Sequence, residues 1–237
     1  MQKSSYAYGL IGNCTSAALV SDDASIDWLC LPSFDSPSVF AKLLDTYRGG
    51  YFQIGAVGVT DTHQYYVSDT AILRTIFETD YGMFEINDYM PRFAVGEGEY
   101  YCPSEVHRYI RVLSGQPKIQ VRLYPMPNYA LGGVEYVMHD EYVKMISTQG
   151  SYMSFYLYSN LELQRIVNGE KIELPPAAYV VLSYHEKLGD LTVGKLYHQY
   201  EKTKAHWLDY VDQTRYPARS RDDVIRSAIT SSRERAG

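Results

Sequence analysis

The chain has 237 residues, a formal net charge of −6 and 46% hydrophobic residues, values typical of a soluble globular protein. Acidic and basic residues are interspersed with no basic stripe, which excludes binding to a phosphate backbone as a function class. The longest apolar runs, such as residues 177–182, are too short to cross a bilayer. Residues 1–5 lead into no apolar core of a signal peptide, so we expect a cytoplasmic protein.

Cysteine and histidine spacing gives no sign of a metal or redox site. Cys14, Cys30 and Cys102 form no CxxC pair, and we expect three small buried residues in a reducing compartment. The six histidines show no HxxxH or HxH spacing, and neither a phosphate-binding glycine loop nor a GxSxG element occurs. The sequence therefore predicts no metal ion and no cofactor.

The first half of the chain has the patterns of β-strands. Residues 15–20 and 25–31 flank a polar turn and predict a hairpin. Apolar residues occur at both parities within residues 71–79, which predicts a strand that is covered on both faces, as in a sandwich of two sheets. The other predicted strands in this half are residues 51–54, 64–67 and 83–89.

The clearest alternation follows, in residues 106–113 and 118–124, which are separated by a turn containing Gly115 and Pro117. Many short strands with glycine, proline and asparagine breaks indicate antiparallel sheets. The predicted fold class is mainly β: a large antiparallel β-sandwich over residues 1–188 with helices after it. The remaining predicted strands are residues 135–139, 143–147, 152–159, 161–167 and 179–185.

Helical spacing replaces strand alternation after Gly189. Residues 189–214 predict a linker helix with Asp190 placed to cap its start. Residues 215–219 break it, and a second helical stretch occupies residues 220–237, with Asp222 and Asp223 in its first turn. An apolar helix face needs a partner, so this second helix either folds back on the sandwich or packs on residues beyond the chain. The apolar face comprises Val224, Ile225, Ala228 and Ile229.

Four segments carry a family resemblance. Residues 8–20 read YGLIGNCTSAALV, residues 25–40 read SIDWLCLPSFDSPSVF, and NDYMP at 87–91 and HRYIR at 107–111 follow in order. This succession resembles the N-terminal domain of the glucoamylase-like and trehalase-like proteins of glycoside hydrolase family 15. Ser33 departs from the pattern, since the family usually has a basic residue there, and this puts any contact made by that residue in doubt.

The resemblance implies an N-terminal sandwich, a linker helix and a catalytic (α/α) barrel whose two glutamates hydrolyse α-glucosidic bonds with inversion. One glutamate protonates the leaving oxygen while the other activates water on the opposite face. Both belong to the barrel, of which residues 220–237 would be only the start, so no residue of this chain inherits a catalytic role. The resemblance leaves the substrate open between starch or malto-oligosaccharides and trehalose.

The loop around residues 27–40 is the candidate functional element, because it places aromatic side chains between prolines. Its candidate residues are Trp28, Phe34, Asp35 and Phe40. One interpretation is that they contact the catalytic barrel or rim its sugar pocket; the other is that the loop closes one end of the sandwich.

Three hypotheses for the whole chain follow. The first is a non-catalytic domain that supports and docks the barrel. The second is a free-standing sandwich that binds α-glucans or α-glucosides through some of its 24 tyrosines, although tyrosine is also an ordinary residue of half-exposed strands. The third is a homo-oligomer formed through the surface made for the barrel.

Overall fold

The structure, a computed structural model, describes residues 8–213 and 221–231. Within these ranges the strands form two large antiparallel sheets and a two-stranded hairpin, and one long helix covers an outer face. The strands are β1 (Tyr8–Gly12), β2 (Ala17–Ser21), β3 (Ser25–Cys30), β4 (Ser38–Phe40), β5 (Tyr51–Ala56), β6 (Val59–Tyr66), β7 (Leu73–Thr79), β8 (Gly82–Tyr89), β9 (Phe93–Gly96), β10 (Glu99–Tyr101), β11 (Glu105–Gly115), β12 (Lys118–Tyr124), β13 (Val134–Met138), β14 (Val143–Ser147), β15 (Ser154–Ser159), β16 (Lys171–Glu173) and β17 (Ala177–Tyr184). The helical segments are α1 (Pro127–Ala130), α2 (Leu163–Val167), α3 (Val193–Gln213) and α4 (Arg221–Ser231).

The two sheets are built from different sets of strands. Sheet A has the order β1-β2-β3-β5-β12-β16, with β4 paired to β3. Sheet B has the order β13-β14-β15-β17-β11-β8-β7-β6, and β9 and β10 pair separately. The predicted mainly β antiparallel sandwich is confirmed.

The main core lies between the sheets and follows from strand alternation. In β12, Ile119, Val121 and Leu123 are buried in this core while Lys118 and Arg122 stay partly exposed, as their alternation predicted. Strands of sheet B supply the opposite layer, including Phe77, Phe84, Ile86, Val106 and Ile110.

The structure corrects two expectations about local structure. The turn at residues 114–117 does not close a hairpin: β11 pairs with β8 and β17, whereas β12 pairs with β5 and β16, so the turn carries the chain from sheet B to sheet A. The predicted strand at 161–167 is wrong, because Leu163–Val167 forms α2. Leu163 and Ile166 bury one helical face, and Gly169 follows with φ +63, the conformation that ends a helix.

The outer face of sheet B is rich in tyrosine, and α3 lies on it. Tyr89 and Tyr179 donate hydrogen bonds from their hydroxyls to the backbone oxygens of Leu196 and Leu191, over 3.1 Å each. Leu196 and Tyr200 of the helix pack among the rings. These tyrosines therefore bury their rings, and their hydroxyls hold the first turn of α3 and the residues just before it.

The start of α3 differs from the prediction in its cap. The Thr192 hydroxyl accepts the backbone N–H of Lys195 over 3.1 Å, so Thr192 and not Asp190 caps the helix. The predicted break at 215–219 and the flanks of α4 lie outside the described residues. No helix in the described part of the chain is long and apolar enough to cross a membrane.

Helix α4 folds back on the sandwich, which resolves the two alternatives for its apolar face. Ile225 and Ile229 are buried against Trp207 and Val211 of α3. Cys14, from the β1–β2 loop, and Ala71, which precedes β7, complete this small cluster.

A buried ion pair of sheet B lies in the core between the sheets. Arg108 of β11 donates from Nε and Nη2 to the two carboxylate oxygens of Asp88 on β8, over 2.8 and 3.1 Å. Its Nη1 also donates to the backbone oxygen of Phe52 in sheet A over 2.8 Å, and its Nη2 donates to that of Ala24 in the β2–β3 turn over 2.6 Å. Both charged side chains have no solvent exposure. The guanidinium therefore satisfies Asp88 and joins the two sheets.

We expect Arg108→Ala to lower the free energy of unfolding by about 3–5 kcal/mol, because it leaves the Asp88 carboxylate buried without its cation. Urea unfolding of the 237-residue chain measures this. Glu170→Gln is the matched control, since it breaks an exposed ion pair with Arg165, and it should leave the midpoint nearly unchanged. Equal midpoint shifts in the two variants would contradict the assignment.

A second arginine attaches α3 to the loops. Arg92 donates from Nε to His206 Nε2 over 3.1 Å and from Nη1 to the backbone oxygen of Asn13 over 3.0 Å. Burial and then the Arg92 charge lower the pKa of His206 to about 4, with Asp209 acting weakly the other way. His206 is therefore neutral in the folded protein at neutral pH and accepts the Arg92 proton.

Acid should weaken the protein through His206. The unfolded chain takes up a proton near an ordinary histidine pKa of about 6.5, whereas the folded chain resists it down to about 4, so stability present above pH 6.5 is lost as the pH falls through this window. His206→Gln, whose amide oxygen can still accept from Arg92, should flatten this part of the stability–pH curve. His198→Gln, at an exposed position of the same helix, should keep the wild-type slope.

Candidate docking surface

The four predicted loop residues do not form one surface. Phe40 is fully buried, with its ring centroid 6.4 Å from that of Phe52, so it supports the loop from within and offers no area to a partner. Trp28 lies on β3 and is half-buried. Phe34 and Asp35 lie exposed in the β3–β4 loop, and only these two project freely.

Serines shape the tip of this loop. The Ser33 hydroxyl donates to Asp35 Oδ1 over 2.6 Å and lies 2.9 Å from the Ser36 hydroxyl. The Ser33 hydrogen bond, with a smaller backbone contribution, lowers the pKa of Asp35. Ser33 thus closes a local turn at the position where the resemblance leads one to expect a basic side chain.

A buried aspartate anchors the next part of the segment, residues 41–50. Asp27 lies at a β-bulge of β3, where its carboxylate receives the hydroxyls of Ser25 over 2.5 Å and Tyr8 over 3.0 Å. Lys42 Nζ lies 3.2 Å from the same carboxylate, and the Asp27 carbonyl accepts the backbone N–H of Leu43. Burial, followed by the Asp27 charge, raises the pKa of Tyr8 to about 12.

A left-handed turn follows β12. Asn128, Tyr129 and Ala130 all have φ between 56° and 60°, a conformation that costs non-glycine residues about 1–2 kcal/mol each. The Asn128 side chain holds the turn, because its Nδ2 donates to the backbone oxygens of Gln149 and Ser151 over 2.8 and 2.9 Å. Such strain persists only where the surroundings fix it, and it is common at functional positions.

These segments surround the short strand β4. The Met126 N–H, just before the left-handed turn, donates to the Val39 oxygen of β4 over 3.0 Å, and Ala41 and Lys42 bond back to Gly49 and Gly50. Gly50 has φ +68, and a Cβ there would lie 2.3 Å from the Tyr124 oxygen, so only glycine fits.

We define the docking surface as the five large exposed side chains on these segments. Their exposed fractions are 46% for Phe34, 74% for Leu44, 98% for Tyr47, 65% for Tyr129 and 63% for Leu131. Large exposed apolar side chains mark interaction surfaces where they adjoin one another, and these five lie on segments next to β4. Of these five residues, the sequence predicted only Phe34. The left-handed backbone at Tyr129 has no sequence pattern except a proline before it and a glycine pair after it.

Three buried carboxylates of the sheets each have a cationic partner. Asp88 is held by Arg108, Asp27 by Lys42, and Glu85 by Arg74 and Arg111 at 3.5 and 3.1 Å. Within the described ranges no cluster of three or more His, Cys, Asp or Glu could hold a metal ion.

Comparison with known protein families identifies the family of this chain. A family described as Trehalase-like, N-terminal matches residues 6–226.

The chain belongs to this family.

Among curated relatives, the chain is 30% identical over 230 residues to a trehalase from Thermoplasma volcanium, across 94% of this chain and 36% of that protein. It is 30% identical over 224 residues to a trehalase from Thermoplasma acidophilum, across 89% of this chain and 37% of that protein. A shorter match, 39% over 83 residues, covers 12% of a trehalase from Mycolicibacterium smegmatis. The chain therefore spans little more than a third of the length of the Thermoplasma relatives.

In this trehalase-like N-terminal domain, replacing the strained Tyr129 by glycine should raise the free energy of unfolding by about 1 kcal/mol, because glycine adopts positive φ without a Cβ clash. Thermal unfolding measures the change. Tyr47→Gly is the matched control at an even more exposed position with ordinary φ, and it should lower stability. Destabilisation of equal size in both variants would show that Tyr129 is not strained.

Proposed function

We propose that this chain is the non-catalytic N-terminal domain of a family 15 glycoside hydrolase, which supports and docks a catalytic (α/α) barrel. The observation that carries the proposal is a match along 89–94% of this chain to trehalases of which it covers only 36–37%. A domain that makes up about a third of an enzyme needs a surface that contacts the remaining part of that enzyme.

The docking surface supports this role by its chemistry. Leu44, Tyr47 and Leu131 would each bury apolar area against a neighbour, and such burial contributes about 25 cal/mol per Å². The tethering of residues 41–50 through Asp27, and of the left-handed turn through Asn128, holds these side chains in place before contact. Preorganisation lowers the entropic cost of association. Phe34 and Asp35 extend the contact at one edge, with Trp28 partly covered beneath.

The proposed reaction belongs to the parent enzyme and not to this domain. An acid–base pair of glutamates in the barrel would cleave an α-glucosidic bond with inversion. The relatives are named trehalases, which favours trehalose over starch as the substrate class. The thiols of Cys30 and Cys102 are free, as is usual in reducing compartments, and this supports the proposed cytoplasmic location.

We propose the following division of the chain: a sandwich over residues 1–188, a linker over 189–214, and the entry into the barrel from 220. The packing of α3 supports the linker assignment, since a helix packed near both of its ends would set the direction in which the next domain begins.

The test combines activity with association. The pure 237-residue chain should release no glucose from trehalose, maltose or starch, and it should co-purify with the downstream part of its reading frame expressed as a separate polypeptide. Leu44→Ser and Phe34→Ser should each weaken this complex by about tenfold or more, because they place a hydroxyl in an apolar contact.

Tyr81→Ser is the matched control, since Tyr81 is as exposed as Phe34 but lies in the β7–β8 turn. It should leave the complex intact. Glucose release by the isolated chain would overturn the non-catalytic role, and an equal loss of complex in all three variants would overturn the docking surface.

A further inference from the structure

A polar cleft lies between α3 and the outer face of sheet B, remote in the fold from the loops around β4. Its volume is about 240 Å³, and both charged and aromatic side chains line it. This is below the range of about 300–1,000 Å³ typical of drug-sized ligands, so the cleft suits a single small ring.

The floor consists of side chains on three adjacent strands. Strand register places Arg74, Asn87 and Tyr109 side by side on β7, β8 and β11, with Glu85 opposite Arg111 in the next row. Asn87 Nδ2 donates to Glu85 over 3.1 Å, while Arg74 Nε donates to Asn87 Oδ1 over 2.9 Å. The floor is thus a fixed array of planar donors and acceptors whose two central members, Glu85 and Asn87, are buried.

The wall is aromatic and comes from the helix. The rings of Tyr197 and Tyr200 lie 6.2 Å apart at an interplanar angle of 21°, and that of Tyr197 lies 6.0 Å from Tyr109. Tyr200 is fixed, since its hydroxyl accepts from Arg74 Nη2 over 3.3 Å. Tyr197 remains half-exposed, and a hydrogen bond to Glu201 raises its pKa.

The charges in the cleft favour a neutral ligand over an anion. Arg74 and Arg111 both pair with Glu85, and Lys204 Nζ lies 4.0 Å from Glu201. Every cation therefore already has a carboxylate, and an incoming phosphate would have to displace one of them. A polyhydroxyl ligand can instead donate to the carboxylates and accept from the guanidinium groups at the same time.

We propose that this cleft binds one neutral pyranose ring, stacked on Tyr197 and hydrogen-bonded through its hydroxyls to Arg111, Glu85 and Asn87. A pyranose has an apolar face that packs on an aromatic ring and an equatorial rim of hydroxyls that match planar side chains. The site is non-catalytic and independent of the docking surface, so it would hold a sugar unit away from the barrel.

The test is calorimetric titration of the 237-residue chain with glucose, trehalose and maltose, and separately with inorganic phosphate. Saturable heat is expected with the sugars and none with phosphate. Tyr197→Ala and Arg111→Ala should each lower the affinity about tenfold, equivalent to about 1.4 kcal/mol. Tyr197→Phe keeps the ring and should retain most of the binding.

Tyr152→Ala, which removes an exposed tyrosine far from α3 in sequence, is the control and should bind as the wild type does. The proposal would be overturned if none of the three sugars gave saturable heat. Unchanged affinity in Tyr197→Ala, or binding of phosphate in place of sugar, would also overturn it. Since no docking variant touches the cleft, loss of barrel association leaves this result unaffected, and the two proposals fail separately.

Discussion

The guanidinium of Arg108 joins the two sheets through the middle of their core. Its charge is paired with that of Asp88 in the same sheet, and it also donates to the backbone oxygens of Phe52 in sheet A and of Ala24 in the β2–β3 turn. Apolar layers can slide over one another, but the two hydrogen bonds to Phe52 and Ala24 are satisfied at a single relative position of the sheets. The alignment of β5 with β11, and with it the positions of the loops around β4, depends on this one buried group.

Much of the sandwich could be predicted because alternation is a local property. The apolar parity of β12 and the hairpin of β2 and β3 follow from neighbouring residues alone. Sheet membership could not be predicted, since the turn at Gly115 looks the same whether it closes a hairpin or crosses between sheets. The helix α2 was predicted as a strand because its five residues, LQRIV, are too few to show a helical period.

The candidate surface was only partly predictable for a related reason. Phe34 is flanked by prolines and stands out in the sequence, whereas Phe40 looks equivalent and is buried against Phe52. Tyr129 gave no signal, because a run of left-handed residues is fixed by tertiary hydrogen bonds from Asn128 and not by local preference. The sugar-sized cleft combines β7, β8, β11 and α3, which are more than 100 residues apart at the extremes, and no sequence window contains them.

The tyrosine-covered face beneath α3 has a consequence for synthesis on the ribosome. The helix is made after both sheets, so the face under it stays uncovered until α3 has emerged. Rings that end in hydroxyls, such as those of Tyr89 and Tyr179, are wettable during that interval, whereas leucines there would attract other nascent chains. Tyrosine on this face thus limits contact with other nascent chains until α3 packs on it.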